Sequence, residues 1–252
     1  MKRILIVLVL AFVLCSCGSD RNESQTDTAS LEARSAGCSA LGAKVFGGES
    51  CNQGSRSPVI WLVSYGIRDG QQVPLSTCTA ALVTLDDFVT SAHCYVVSSQ
   101  LAVQQGFADW GISALVGGNQ GEVIPVVNAA FHPLYDFAVA SPYDVAMGTI
   151  ASVPNPPIGP LPLLGSELSG PGSAITAFGY GTNDAGATGE LKAANFTVSL
   201  LSGGNLVVVG DGASSICPGD SGGPAVYTTS QGVATLAGVN SYIEASGCVS
   251  SA

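Results

Sequence analysis

The sequence predicts an all-β protein built as two β domains, each a barrel or a sandwich. Short runs of β-branched or alternating apolar residues recur from about Cys38 onward, and Gly, Pro, Asn and Asp separate them. The chain carries 32 glycines while only 10% of its residues are charged. That composition suits short strands and tight turns and works against long helices rich in Glu, Lys and Arg. A proline-rich stretch, SVPNPPIGPLP (Ser152–Pro162), interrupts the strands where neither a helix nor a central strand could continue. At 252 residues the chain is long enough to give two such domains a core each.

In chain order, Lys2 and Arg3 precede an apolar run, Ile4 to Val13. At about ten residues the run is too short to span a bilayer as a helix, and it reads as a secretory signal. It leads into LCSC, Leu14–Cys17, which resembles a bacterial lipoprotein signal. On that reading residues 1–17 are the signal, and a lipidated Cys17 anchors the exported chain to the bacterial membrane. Cys15 is an unusual residue inside such a box, and a plain cleaved signal is the other reading. Either way the chain is exported, to the periplasm or outside the cell, an oxidising setting that suits its eight cysteines. Gly18 to Ala36 is small and polar and is expected to be a disordered tether, within a segment 18–44 that precedes the first domain.

The first domain, 45–150, contains the runs Val59–Tyr65, Ala80–Thr84, Phe88–Ala92 and Val123–Val127. The crossing spans 151–165. The second domain, 166–252, contains Ala174–Phe178, Phe196–Leu201, Leu206–Val209, Ala225–Thr228 and Val233–Tyr242. A net charge of -10 excludes nucleic acid as a partner, since phosphate binding needs clustered Lys and Arg. No metal-ligand spacing occurs; Asp86, Asp87 and Glu49 are too few for a calcium site. No cofactor motif is present.

Three segments carry residue types that belong together chemically. His93 lies in VTSAHC, after an apolar run and before a cysteine. Asp144 heads the apolar run DVAMGTI, where a buried acid needs a partner. Ser221 lies in CPGDSGGP, Cys217–Pro224, too rich in glycine and proline for a helix and poor for a strand. Acyl transfer by a serine needs a base to take the hydroxyl proton and an acid to orient that base, and the three residues supply one of each. The second histidine, His132 in FHPLYD, reads as a turn residue.

TSAHC, DVAMGTI and CPGDSGGP, in that order, resemble the histidine, aspartate and serine motifs of the chymotrypsin/trypsin-like serine proteases, over roughly Val45 to Cys248. The resemblance implies two six-stranded antiparallel Greek-key β-barrels and a monomeric serine endopeptidase acting on proteins or peptides. Ser221 would be the nucleophile, His93 the base and Asp144 its orienting acid, with the N–H groups of Gly219 and Ser221 as the oxyanion hole. FGYG, Phe178–Gly181, resembles the start of the second barrel, and VNSY, Val239–Tyr242, the substrate-lining strand, whose Ser241 would hydrogen-bond Asp144. KVFGG, Lys44–Gly48, resembles an activation site: an activating protease would cut after Lys44, and the new α-amino group of Val45 would pair with Asp220. Ser215 falls at the pocket floor, where an acid would select Arg or Lys, and Ile243 follows Tyr242 where the family usually has glycine. Together they imply a small or medium, uncharged residue before the cut.

The resemblance also implies disulfides Cys78–Cys94 and Cys217–Cys248. Cys38 and Cys51 then remain, to pair with each other across the cut site, to stay free or to pair elsewhere. In the family a further strand and a helix follow the cysteine matching Cys248, so the second barrel is expected to be incomplete. The rival to an enzyme is a catalytically silent binding or adhesion protein of the same fold.

Overall fold

A computed structural model describes residues 57–138, 141–165, 170–183, 185–210 and 215–243, together with the backbone of residues 4–8. The elements run in the order β1 (Ile4–Leu8), β2 (Val59–Arg68), β3 (Gln71–Leu82), β4 (Asp87–Thr90), α1 (Ala92–Gln104), β5 (Trp110–Val116), β6 (Glu122–Phe131), β7 (Ala146–Ile150), β8 (Ala174–Gly179), β9 (Lys192–Ser202), β10 (Asn205–Val209), β11 (Pro224–Thr228) and β12 (Ala234–Ile243). Residues 151–162 contain no regular element, as their prolines require.

The first six-stranded ring closes in the order β2-β3-β4-β7-β6-β5, all pairs antiparallel. β2 alternates between buried and partly exposed residues along VIWLVSYG, the period that puts one face of a strand into a core. It turns into β3 at Asp69-Gly70, both with positive φ (53° and 74°), the two-residue turn whose twist matches that of paired strands. Ile60, Leu62, Leu82, Phe88, Tyr95, Ile112 and Ile150 fill the interior of this barrel. β9 and β10 join through Gly203-Gly204, at φ 58° and 84°, by the same kind of turn.

The second ring runs β8-β9-β10-β1-β12-β11 and back to β8. This is the strand order of the first ring, with β1 in the lane that β7 fills there: each lies between the third and fifth strands of its own barrel. The sequence reading expects this barrel to be incomplete after Cys248; in the structure the lane is filled by Ile4–Leu8, residues that the sequence reading places in the export signal. Ile4–Leu8 pairs antiparallel with β10 on one side and β12 on the other. The physical reason is that the edges of β10 and β12 each present a row of N–H and C=O groups, and any extended segment of suitable length can satisfy both rows. The core of this barrel gathers Ile175, Phe196, Val198, Leu206, Val208 and Ile216.

A third apolar cluster lies between the barrels and includes Val59, Ala81, Val89 and Leu161 with Phe178, Tyr180, Leu191, Val226 and Val239. Tyr180 is the largest of the fully buried side chains, and its hydroxyl donates to the Val59 carbonyl at 3.2 Å. The seam therefore fixes β8, β11 and β12 against β2, β3 and β4. The sequence reading had no counterpart for α1 or β5. Among the described residues no helix is long and apolar enough to cross a membrane.

A chain that begins at residue 18 lacks β1 and leaves both neighbouring edges open. Its melting temperature should fall below that of the chain that retains Ile4–Leu8, measured on the two purified forms. Equal melting would mean that other residues fill the lane.

Candidate active site

α1 begins directly after β4. Ser91, in an extended conformation, is its N-cap residue, and His93 lies in its first turn, where main-chain N–H groups have no partner within the helix. Asp144, just before β7, meets that need. Its Oδ1 accepts the His93 main-chain N–H at 2.8 Å and its Oδ2 lies 2.7 Å from His93 Nδ1. A carboxylate at a helix N-terminus is favourable in its own right. Here it also fixes the imidazole: with Nδ1–H donating to Asp144, the lone pair lies on Nε2, on the far side of the ring. Ser241 of β12 donates to the same Oδ2 at 2.5 Å, which joins the second barrel to the pair.

Asp144 is only 4% exposed. Burial pushes its carboxyl up. The hydrogen bond and charge of His93, with the bonds from Ser241 and the His93 N–H, outweigh that and hold it below the ordinary carboxylate range. It is therefore the ionised partner of the pair.

Ser221 lies in the tight loop between Ile216 and β11. The loop turns through the Asp220 N–H to the Cys217 carbonyl (2.9 Å) and the Gly223 N–H to the Asp220 carbonyl (3.0 Å). Two glycines in it are required by geometry. Gly219 has φ +97°, and a Cβ there would lie 2.8 Å from Gly181 Cα. Gly222 has φ +78°, and a Cβ there would strike the Thr90 hydroxyl and the Thr79 carbonyl. The loop thus presses its main chain against the main chain of the first barrel, where the Thr79 N–H donates to the Ser221 carbonyl at 2.8 Å.

The orientation of the Pro218–Gly219 peptide follows from its carbonyl, which accepts the Thr182 N–H at 3.0 Å. In a trans peptide the N–H points the opposite way. Among the described residues neither the Gly219 N–H nor the Ser221 N–H has an acceptor. Unpaired N–H groups are rare inside proteins, and two of them, one on each side of Asp220, form a site suited to an oxygen that carries negative charge. The Ser221 hydroxyl likewise has no partner among the described residues. The structure seats the serine through its main chain, and no hydrogen bond joins its hydroxyl to His93. Cys94 Sγ, on the residue after His93, is 3.7 Å from the Ser221 carbonyl oxygen.

The Cys78–Cys94 disulfide forms, tying α1 to β3 beside His93. The sulfurs and the imidazole lie within 4.8 Å of one another, but both sulfurs are bonded to each other rather than available to a metal. Cys217 is also in a disulfide. Its expected partner Cys248 lies outside the described residues, as do Cys17, Cys38, Lys44, Val45 and Cys51.

Ser215 is buried, and its hydroxyl donates to the Ile216 carbonyl at 3.2 Å. Tyr242 is half-buried. Ile243 packs partly against the core of the second barrel, so its place at a pocket mouth rests on the resemblance alone.

Asp220 is fully buried, and its two oxygens accept the N–H groups of Gly181 and Cys217, each at 2.8 Å. Burial pushes its carboxyl up to about 7, against the pull of those two N–H groups and the charge of Lys192. Sequence reasoning missed Thr79 and Asn240, both buried at the seam. Asn240 Nδ2 donates to the carbonyls of Asp220 (3.0 Å) and Phe178 (3.1 Å). The one available signal for Asn240 was a carboxamide inside the otherwise apolar strand LAGVNSY.

The trypsin family model matches residues 45–251, most of the chain. The protein belongs to the trypsin family and is of the serine-peptidase class. No curated protein matches it with significance.

The two aspartates predict opposite responses to pH. Asp220 has a folded-state carboxyl near 7 against an ordinary 3.8, so the folded chain binds its proton more tightly than the unfolded chain does. The stability this contributes is whole below 3.8 and is lost as pH rises through about 7. In the chain uncut after Lys44, wild type should therefore lose stability relative to Asp220→Asn as pH rises through that window. Denaturant melts of both proteins at several pH values measure it. A constant difference would contradict the assignment.

Proposed function

We propose that the protein is a serine endopeptidase that hydrolyses peptide bonds through an acyl-enzyme, with Ser221 as nucleophile, His93 as base and Asp144 as its orienting acid. One observation carries this reading. Asp144 fixes the His93 ring from behind, while the loop that bears Ser221 leaves two main-chain N–H groups unpaired beside the hydroxyl.

In the reaction, His93 Nε2 takes the Ser221 proton as Oγ attacks the scissile carbonyl, and Asp144 stabilises the imidazolium that results. The carbonyl oxygen gains charge and is held by the N–H groups of Gly219 and Ser221. His93 then protonates the leaving amine, and water, activated by the same base, releases the acyl group.

The chain would be made as a zymogen and cut between Lys44 and Val45. Supporting this, Asp220 is wholly buried and among the described residues its oxygens accept only main-chain N–H groups, so an ammonium brought to it would favour its ionised form and brace the loop. Substrates would carry a small or medium, uncharged residue before the cut, since the buried pocket-floor residue is Ser215. The exported enzyme would reside in the periplasm or outside the cell, anchored through Cys17 if the signal is of the lipoprotein kind.

The rival reading, a catalytically silent binding protein, draws on the hydroxyl of Ser221 having no bond to His93. Hydrogen bonds at such sites commonly tighten only when substrate arrives, and all three triad residues are present.

A fluorophosphonate probe should label the chain cut after Lys44, and Ser221→Ala should abolish labelling and reduce turnover of a peptide substrate to a small residue of the wild-type rate. Catalysis of about 10³–10⁴ over water would persist in that variant from the oxyanion site and binding. Wild-type protein that neither labels nor cleaves would establish the binding reading. A substrate library should show small and medium uncharged residues before the cut; a profile dominated by Arg or Lys would refute that specificity.

A further inference from the structure

Thr79 lies on β3, next to Cys78, and is fully buried. Its hydroxyl stands between two main-chain groups of the other barrel. It donates to the Gly219 carbonyl at 2.7 Å and accepts the Tyr180 N–H at 2.9 Å. Its own N–H donates to the Ser221 carbonyl, and its carbonyl accepts the Thr90 hydroxyl at 2.8 Å. One residue therefore touches the main chain of both Gly219 and Ser221, and also the segment that leads into the helix of His93.

The consequence lies in how Gly219 is held. A glycine at φ +97° has no side chain to limit its rotation, so its conformation is set by what grips the peptide planes on either side. The plane before it is held through the Pro218 carbonyl by the Thr182 N–H. The plane after it is held at its carbonyl by Thr79 and at its other end by the Asp220 N–H, which donates to the Cys217 carbonyl. Remove the Thr79 grip and the plane after Gly219 is held at one end only, so rotation about Gly219, and with it the direction of its N–H, is less constrained.

We propose that Thr79 is a positioning residue that aims the Gly219 N–H at the developing oxyanion and keeps it in register with Ser221 and His93. This rests on the reading of Gly219 and Ser221 as the oxyanion pair. A valine has nearly the shape of threonine without the hydroxyl, so it fills the same space while freeing the Gly219 carbonyl and the Tyr180 N–H.

The test compares the full chain, cut after Lys44, as wild type, Thr79→Val and Thr79→Ser, with kcat counted per titratable active site. The measured quantities are kcat and KM on a peptide substrate and the inhibition constant of a peptide aldehyde, which forms a tetrahedral adduct with an oxyanion. Thr79→Val should lower kcat by about tenfold to a hundredfold, below or near the loss from deleting an oxyanion donor outright. KM should stay within about twofold, because the ground-state carbonyl makes less use of the donor. Aldehyde affinity should fall in step with kcat/KM, and Thr79→Ser, which keeps the hydroxyl, should recover most of both.

If Thr79→Val does not fold, Thr79→Ala carries the same expectation. A variant without the hydroxyl that melts lower but keeps wild-type kcat per site and wild-type aldehyde affinity would make Thr79 merely structural and overturn the proposal. Wild-type protein that fails to react with the fluorophosphonate at Ser221 would instead overturn the peptidase reading, and this proposal with it.

Discussion

The loop from Cys217 to Gly223 lies in the seam between the barrels with its main chain against the main chain of β3 and the segment before α1. Nearly everything else in the site depends on that contact. It is possible only because no side chain stands at Gly219 or Gly222, where a Cβ would meet Gly181, Thr79 or Thr90. Once the loop is that close, its carbonyls become acceptors for groups of the first barrel: Ser221 for the Thr79 N–H and Gly219 for the Thr79 hydroxyl. The return strand is held likewise, with the Asn240 carbonyl accepting both the Gly222 N–H and the Ser91 hydroxyl, each at 2.7 Å. The carbonyls of Pro218, Gly219 and Ser221 are taken, while among the described residues the N–H groups of Gly219 and Ser221 have no acceptor. The site's capacity to bind an anion follows from that imbalance.

The two buried aspartates show how partners decide the charge state of one residue type. Asp144 has a histidine ring, a main-chain N–H and a hydroxyl around it, and is held ionised despite burial. Asp220 is more deeply buried, has two main-chain N–H groups, and shares only the more distant charge of Lys192. Its desolvation is not offset, so its carboxyl rises to about 7. The first arrangement holds the His93 ring in one orientation. The second is poised, because a single added cation would change its balance.

Much of the site was legible in short motifs. His93, Asp144 and Ser221 each sit in a segment whose composition would be costly without a function: a buried acid heading a strand, a serine fenced by glycines. Strand positions were legible where period-two alternation was clean, as in Val59–Tyr65 and Leu206–Val209. The helix Ala92–Gln104 was not, because AHCYVVSSQLAVQ has no strongly amphipathic pattern and its β-branched valines read equally well as strand. β5 was missed as well, its short run WGISALV broken by small residues between turn signals.

By itself the sequence indicated two β domains, a proline-rich stretch between them and the three candidate residues His93, Asp144 and Ser221, because turn chemistry, alternation and a dense local motif are written in neighbouring residues. The tertiary structure alone decided what lies in the last lane of the second barrel and what holds the Ser221 loop. Ile4–Leu8 reads in sequence as part of a secretory signal; only the lane between β10 and β12 gives it a strand's partners. Thr79 and Asn240 are ordinary polar residues in their own strands. They matter because folding brings them to carbonyls some 140 and 20 positions away, at Gly219 and Asp220, and hydrogen bonds across such separations leave no pattern in the chain.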